Sequence, residues 1–312
     1  MMTEEEKLNI YTKHKKSHYK NYAEDFVSEF LDVVYKEYEL KDIKKTNDDS
    51  LFVEKMILKS MIVSENLEIK PQYLSLYTKN MNVKVIKTKN PTIIFDELFQ
   101  FTINTFYMIV YSLINDKSER NITKCMDICI SLLELHGNKH ELLTYSYEKL
   151  VDLCTYPKNI LDLAMDTYWV SWGFVIAHEL YHFINEDSQS FYEEELDADK
   201  FAYKTTINMI EAQGKGKIPE DIQVFHNYLY LAPLMLLDYF KLLDYYNTLL
   251  KKVIDYTDYP TPEIRQEKLL DLFDDYIPDS FDTVLGNDIY NSFLDTIDFI
   301  KEQLIVKINK EF

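Results

Sequence analysis

Two histidines separated by three residues, with a glutamate directly after the first, stand inside the apolar run Val175–Ile184, VIAHELYHFI. On a helix His178 and His182 fall four residues apart on one face, where both imidazoles can reach a single tetrahedral Zn²⁺. Glu179 then points toward the remaining ligand position. There it can take a proton from a metal-activated water and pass it to a leaving amine, which is general acid–base chemistry for peptide hydrolysis. The neighbours Val175, Ile176, Ala177, Leu180, Tyr181, Phe183 and Ile184 are all uncharged. Burying two histidines and a glutamate among them costs several kcal/mol unless something compensates, and a metal does.

A third protein ligand is expected from the next helix. Glu195 comes thirteen residues after His182 in EEELDADKFA, and Asp199 follows it by four, on the same helix face. Glu195 can complete a His₂Glu site, and Asp199 can accept the outward N–H of a ligating histidine and fix its tautomer. Glu193 and Asp197 share the same spacing. Glu195 is preferred because its face continues through Ala198, Asp199 and Ala202, whose small side chains allow close packing on the metal-bearing helix, whereas the Glu193 face runs into Lys200.

HELYH followed by ELDAD resembles the gluzincin zinc metallopeptidases, whose signature is HExxH and then ExxxD or ExxxN on the following helix. The resemblance implies His178, His182 and Glu195 as ligands, Glu179 as catalytic base and Asp199 as the residue behind a ligand. Downstream, Tyr259–Arg265 (YPTPEIR) is similar to the HPxxxxR segment of the HtpX-like branch, with Pro260 and Arg265 in register and Tyr259 in place of the usual His. The short gap to the third ligand is more like the phage-exclusion peptidases of the Lit type, with the ImmA-type repressor proteases next. A role in phage defence is implied by that likeness alone. Gluzincins also place a donor near the tetrahedral oxyanion, for which His226, Tyr228, Tyr230 and Arg265 are candidates, His226 and Arg265 foremost. Thr261 can cap a helix starting at Pro262, which puts Arg265 in the first turn, where a cation is not favoured by the helix dipole. It is therefore expected to face the cleft, polarising a carbonyl or holding a carboxylate of the site.

The elements that must position these groups are mostly helical. Gly and Pro together occupy only 13 of 312 positions, far below ordinary usage. Apolar residues recur at helical spacing over Tyr22–Tyr38, and after Asp96 the helical period returns, broken by turn-rich text near 115–120, 136–140, 155–159, 185–190 and 211–221. Between Asn82 and Phe95, NVKVIKTKNPTIIF alternates with period two and carries an Asn-Pro break, the signature of a strand or hairpin. The expected class is mainly α (α+β), a helical zincin-like catalytic core with a small β hairpin or edge sheet. We divide the chain into an N-terminal segment, 1–95, and a helical metallopeptidase region, 96–312.

A net charge of −19, from 34 basic against 53 acidic residues, repels phosphate backbones and acidic headgroups, so neither nucleic acid nor an anionic membrane is expected as partner. Leu98–Asn115 is uncharged for 18 residues, but Gln100, Asn104 and Asn115 mark it as a buried helix, and Ile222–Leu237 is interrupted by Pro233. Cys125, Cys129 and Cys154 are too few for a disulfide framework, and the charged N-terminus lacks an apolar signal core; both point to a reducing cytoplasm. Cys125 and Cys129 read as small buried residues, His136 and His140 as loop residues beside Gly137, the basic run KHKKSHYK as a solvated helix face, and Trp169 and Trp172 as core. The expectation is a cytoplasmic zinc endopeptidase acting on a protein or peptide substrate. The rival is a regulatory or structural helical protein with a zinc-stapled or degenerate motif. Glu179 separates them, since a structural site has no use for a base and normally fills all four positions with protein.

Overall fold

The computed structural model describes residues 72–76, 83–86, 92–135, 158–185, 190–213, 220–252, 256–276 and 281–311, with scattered positions at 57–68, 254 and 278. The expected helix at Tyr22–Tyr38, the basic run before it, Cys154, His136 and His140 lie outside the described residues. The chain divides into two compact units, Met1–Phe101 and Thr102–Phe312. In the first, β1 (Gln72–Leu76), β2 (Lys84–Ile86) and β3 (Thr92–Asp96) form a sheet of order β1-β3-β2. β1 runs parallel to β3 with Gln72 opposite Thr92, and β2 runs antiparallel to it with Val85 opposite Ile93. Ile93 and Phe95 alternate onto one face and are fully buried.

The described residues are mainly helical. They contain α1 (Glu97–Asn115), α2 (Glu119–Leu135), α3 (Lys158–Ile184), α4 (Phe191–Gln213), α5 (Glu220–Leu249), α6 (Pro262–Tyr276) and α7 (Thr283–Glu311). None of them is long and apolar enough to cross a membrane. In the second unit α3 packs most extensively on α4 and also on α5, while α6 packs on α4 and α5, and α7 on α5 and α2.

α3 is the central helix. Residues 170–174 and 176–178 are buried in succession, so it has no solvent face over those turns. Its buried hydroxyls are satisfied from α1. Thr167 donates to the Leu163 carbonyl at 2.8 Å, so Tyr111 must donate to Thr167 at 3.0 Å, and Tyr107 and Ser171 meet at 2.6 Å beside the Ala232 carbonyl of α5. α5 runs unbroken through Pro233, although the missing N–H and ring clash of a mid-helix proline cost about 3 kcal/mol. Every residue from 230 to 239 is buried, and that packing holds the helix together. Trp172 is likewise buried in the core, and Cys125 and Cys129 are buried free thiols. Burial pushes both thiols up to about 12, which makes them inert at neutral pH.

Behind α6 lies a closed polar cluster. The Gln266 amide nitrogen donates to the Leu234 carbonyl at 3.1 Å, to Asp238 at 2.8 Å and to the Tyr290 hydroxyl at 2.8 Å. Tyr290 donates to the other Asp238 oxygen at 2.8 Å, and Lys241 bonds to both Asp238 and Gln266. One side chain of α6 thereby ties α5 to α7.

Candidate metal centre

α3 ends where Asn185 bonds back to the Tyr181 carbonyl through both its backbone N–H, at 3.0 Å, and its side-chain amide, at 3.2 Å. α4 starts at a Ser190 cap, whose hydroxyl accepts the Glu193 N–H at 3.2 Å. This brings the last turns of α3 against the first turns of α4. Ala198 and Ala202, both fully buried, let the two helices approach closely.

Three donor atoms converge there. His178 Nε2 and His182 Nε2 are 3.1 Å apart, and the Glu195 carboxylate oxygens lie 3.3 Å from each. Bond lengths of about 2.05 Å around a tetrahedral ion separate its donors by about 3.3 Å, so the three edges match. Among the described residues, this is the group of His, Cys, Asp and Glu side chains able to hold a metal ion. It could supply three ligands, and no fourth His, Cys, Asp or Glu joins the group among the described residues. Glu193 and Asp197 are exposed, so the face carrying Glu195 and Asp199 is the one turned inward.

The outward nitrogens of both imidazoles are held by carboxylates. His178 Nδ1 donates to Asp199 Oδ1 at 2.9 Å, and His182 Nδ1 donates to Glu194 Oε1 at 2.9 Å. In the neutral ring, a proton held at Nδ1 leaves Nε2 as the nitrogen free to bind a metal, on the side of the Glu195 carboxylate. Asp199 is 1% exposed and is gripped from α6 by Arg265, whose Nε and Nη2 reach its two oxygens at 2.6 Å each. α6 begins as its sequence suggests, with Thr261 accepting the Ile264 N–H at 3.4 Å. Of the two roles open to Arg265, holding a carboxylate of the site is the one the geometry displays.

The cluster draws positive charge. Burial disfavours the charged form of His178, yet bonds to Asp199 and Glu195 push it up to about 9, and His182 shifts in the same direction. Burial opposes the Glu195 and Asp199 carboxylates too. Nevertheless the two histidines hold Glu195, and Arg265 with His178 holds Asp199, below the usual carboxylate range. Glu179 is the exception: burial raises it to about 7, against the opposing pull of both histidines. It lies within electrostatic range of His178, His182, Glu195 and Arg265.

His226 is not brought to this group. Asp199, bonded to His178, and Glu211, which accepts from Tyr230, lie twelve residues apart on α4, about 18 Å at 1.5 Å per residue. Tyr230 and the part of α5 that carries His226 therefore stand that far along α4 from the donor group. His226 packs instead on the Tyr230 ring at 6.2 Å. Tyr228 and Tyr230 belong to the same distant end, where Tyr230 donates to Glu211.

Glu194 escaped the sequence reading. It has no acid four residues on, so a search for paired carboxylates on one face passes over it. The usable signal was different: each ligating histidine needs an acceptor for its outer N–H, and Asp199 serves only one of them.

The choice of ligand register has a direct test. Glu195→Ala is expected to release the metal and Glu193→Ala to retain it, while Asp199→Asn weakens affinity by about 10–100-fold, as changes behind a ligand do. Competition against a chromogenic chelator reads all three.

Comparison with protein-family models finds none that matches the chain, and comparison with curated proteins and with solved structures likewise finds no match.

Proposed function

We propose that the helical region from about residue 96 is a zincin-like endopeptidase core, holding one Zn²⁺ on His178, His182 and Glu195 and hydrolysing a peptide bond. The observation that carries this reading is the convergence of two imidazole nitrogens and a carboxylate at tetrahedral spacing, with a half-buried carboxylate, Glu179, beside them. Two imidazoles and one carboxylate suit zinc.

Bound there, zinc supplies Lewis acidity toward water and the scissile carbonyl. Glu179 takes a proton from the attacking water and delivers it to the leaving amine nitrogen, for which a carboxyl near neutrality is well matched. Asp199 and Glu194 keep the ligand imidazoles turned, and Arg265 keeps Asp199 in place. A structural zinc staple would need a fourth protein ligand, and none joins the three among the described residues. The substrate is a protein or peptide; a narrow, defence-type target follows from the motif likeness, and a cytoplasmic setting from the sparse cysteines.

Two measurements test the proposal. Elemental analysis of protein purified without added metal is expected to give one zinc per chain, lost in His178→Ala. New protein N-termini should appear in cells expressing the wild-type chain and be absent with Glu179→Gln. Metal-free wild-type protein, or identical N-termini in both cultures, overturns it.

A further inference from the structure

We propose that Glu194 is a positioning residue that aims His182 at the metal, so that α4 supplies a ligand and an orienting carboxylate from adjacent positions. This rests on the metal-site reading above.

The three consecutive glutamates at the start of α4 have three different surroundings. Glu193 is exposed, Glu195 spans the two Nε2 atoms, and Glu194 accepts the His182 Nδ1–H at 2.9 Å. Successive helical residues are rotated by about 100°, so Glu194 and Glu195 can approach one imidazole from its two sides only because His182 lies against this turn. The side chains of His182 and Glu194 are 17% and 12% exposed. In such partly desolvated surroundings, a charge-assisted hydrogen bond is stronger than at the surface.

Without that acceptor the imidazole can rotate about its χ2 torsion or move its proton to Nε2, and either change removes the lone pair from the donor triangle. His178 is secured differently, by an Asp199 that is itself clamped from another helix. His182 sits in the last turn of α3, two residues from its end, where Asn185 closes the helix on the Tyr181 carbonyl. The histidine nearer the helix end therefore depends on α4 for its orientation.

The test compares wild type with Glu194→Ala, Glu194→Gln and the exposed control Glu193→Ala, measuring zinc affinity by chelator competition and the visible bands of the Co²⁺-loaded proteins. Glu194→Ala is expected to bind zinc about 10–100-fold more weakly with altered Co²⁺ bands. Glu194→Gln, whose amide oxygen still accepts the Nδ1–H, recovers most of the loss, and Glu193→Ala matches wild type. A Glu194→Ala protein with wild-type affinity and Co²⁺ bands, even one whose metal-free form melts earlier, overturns the proposal and leaves the metal site standing. A wild-type protein that binds neither ion overturns the metal-site reading itself.

Discussion

Glu179→Gln is expected to keep its zinc and its fold and to lose hydrolysis by 10²–10⁴-fold, the range typical of a general acid–base group. The amide has nearly the volume of the carboxyl, so the packing of α3 is unchanged. It cannot accept and return a proton, so only the chemical step suffers. Glu179 has no part in the donor triangle, and this separates its effect from that of a ligand. A ligand variant loses metal and activity together, whereas this one loses activity alone. The assay is cleavage of whichever cellular protein shows a wild-type-dependent new N-terminus, with zinc content measured on the same preparation. Activity within about tenfold of wild type contradicts the assigned role.

The second large effect concerns Arg265. Asp199 is 1% exposed and holds its charge through the two bonds from Arg265 and the one from His178. Removing one partner of a buried ion pair leaves a charge without compensation and costs about 3–5 kcal/mol. Arg265→Ala is expected near the lower end, about 3 kcal/mol, since His178 remains. In an Asp199→Asn background the same change should cost much less, because no buried charge is then abandoned. Urea unfolding of the four proteins closes the cycle, and zinc affinity should fall along with stability in Arg265→Ala. Arg265→Lys restores the charge without the two-pronged geometry and recovers only part of the loss. An Arg265→Ala protein that is as stable as wild type, binds zinc normally and cleaves its target at the wild-type rate removes Arg265 from the site.

The inner part of the candidate site was legible because its logic is local. His178 and His182 are one helical turn apart, Glu195 and Asp199 are another, and a run of turn-forming residues between them forces the helices back to back. Arg265 was legible for a related reason: a cation in the first turn after a Thr-Pro cap needs an external partner. His226 was placed near the site because an isolated histidine on an apolar helix invites a role. Nothing in the sequence says which end of α5 lies by the site, and the Tyr230–Glu211 contact, twelve residues along α4 from Asp199, puts His226 at the far end. Pro233 likewise reads as an interruption, since the burial that carries α5 through it is a tertiary property. Glu194 stayed hidden because what it satisfies is a requirement of a neighbouring ring and leaves no spacing pattern of its own.

α6 carries Arg265 and Gln266 side by side, one locked to Asp199 and the other to Leu234, Asp238 and Tyr290. Neighbouring positions on a helix cannot move independently, so the short helix works as a cross-brace between the pair α3–α4, which carries the three converging donors, and the long pair α5–α7. Thermodynamic linkage then runs both ways. A cation bound at 1,000 times its Kd adds about 4 kcal/mol to the state in which its ligands are aligned. Because alignment of His178 passes through Asp199 and Arg265, part of that stabilisation reaches the amides of α6 and the seat of α7. Conversely, if the proposed metal binds, a lesion in α7 that frees Tyr290 is expected to slacken the grip on Asp199 and to lower metal affinity without touching the site.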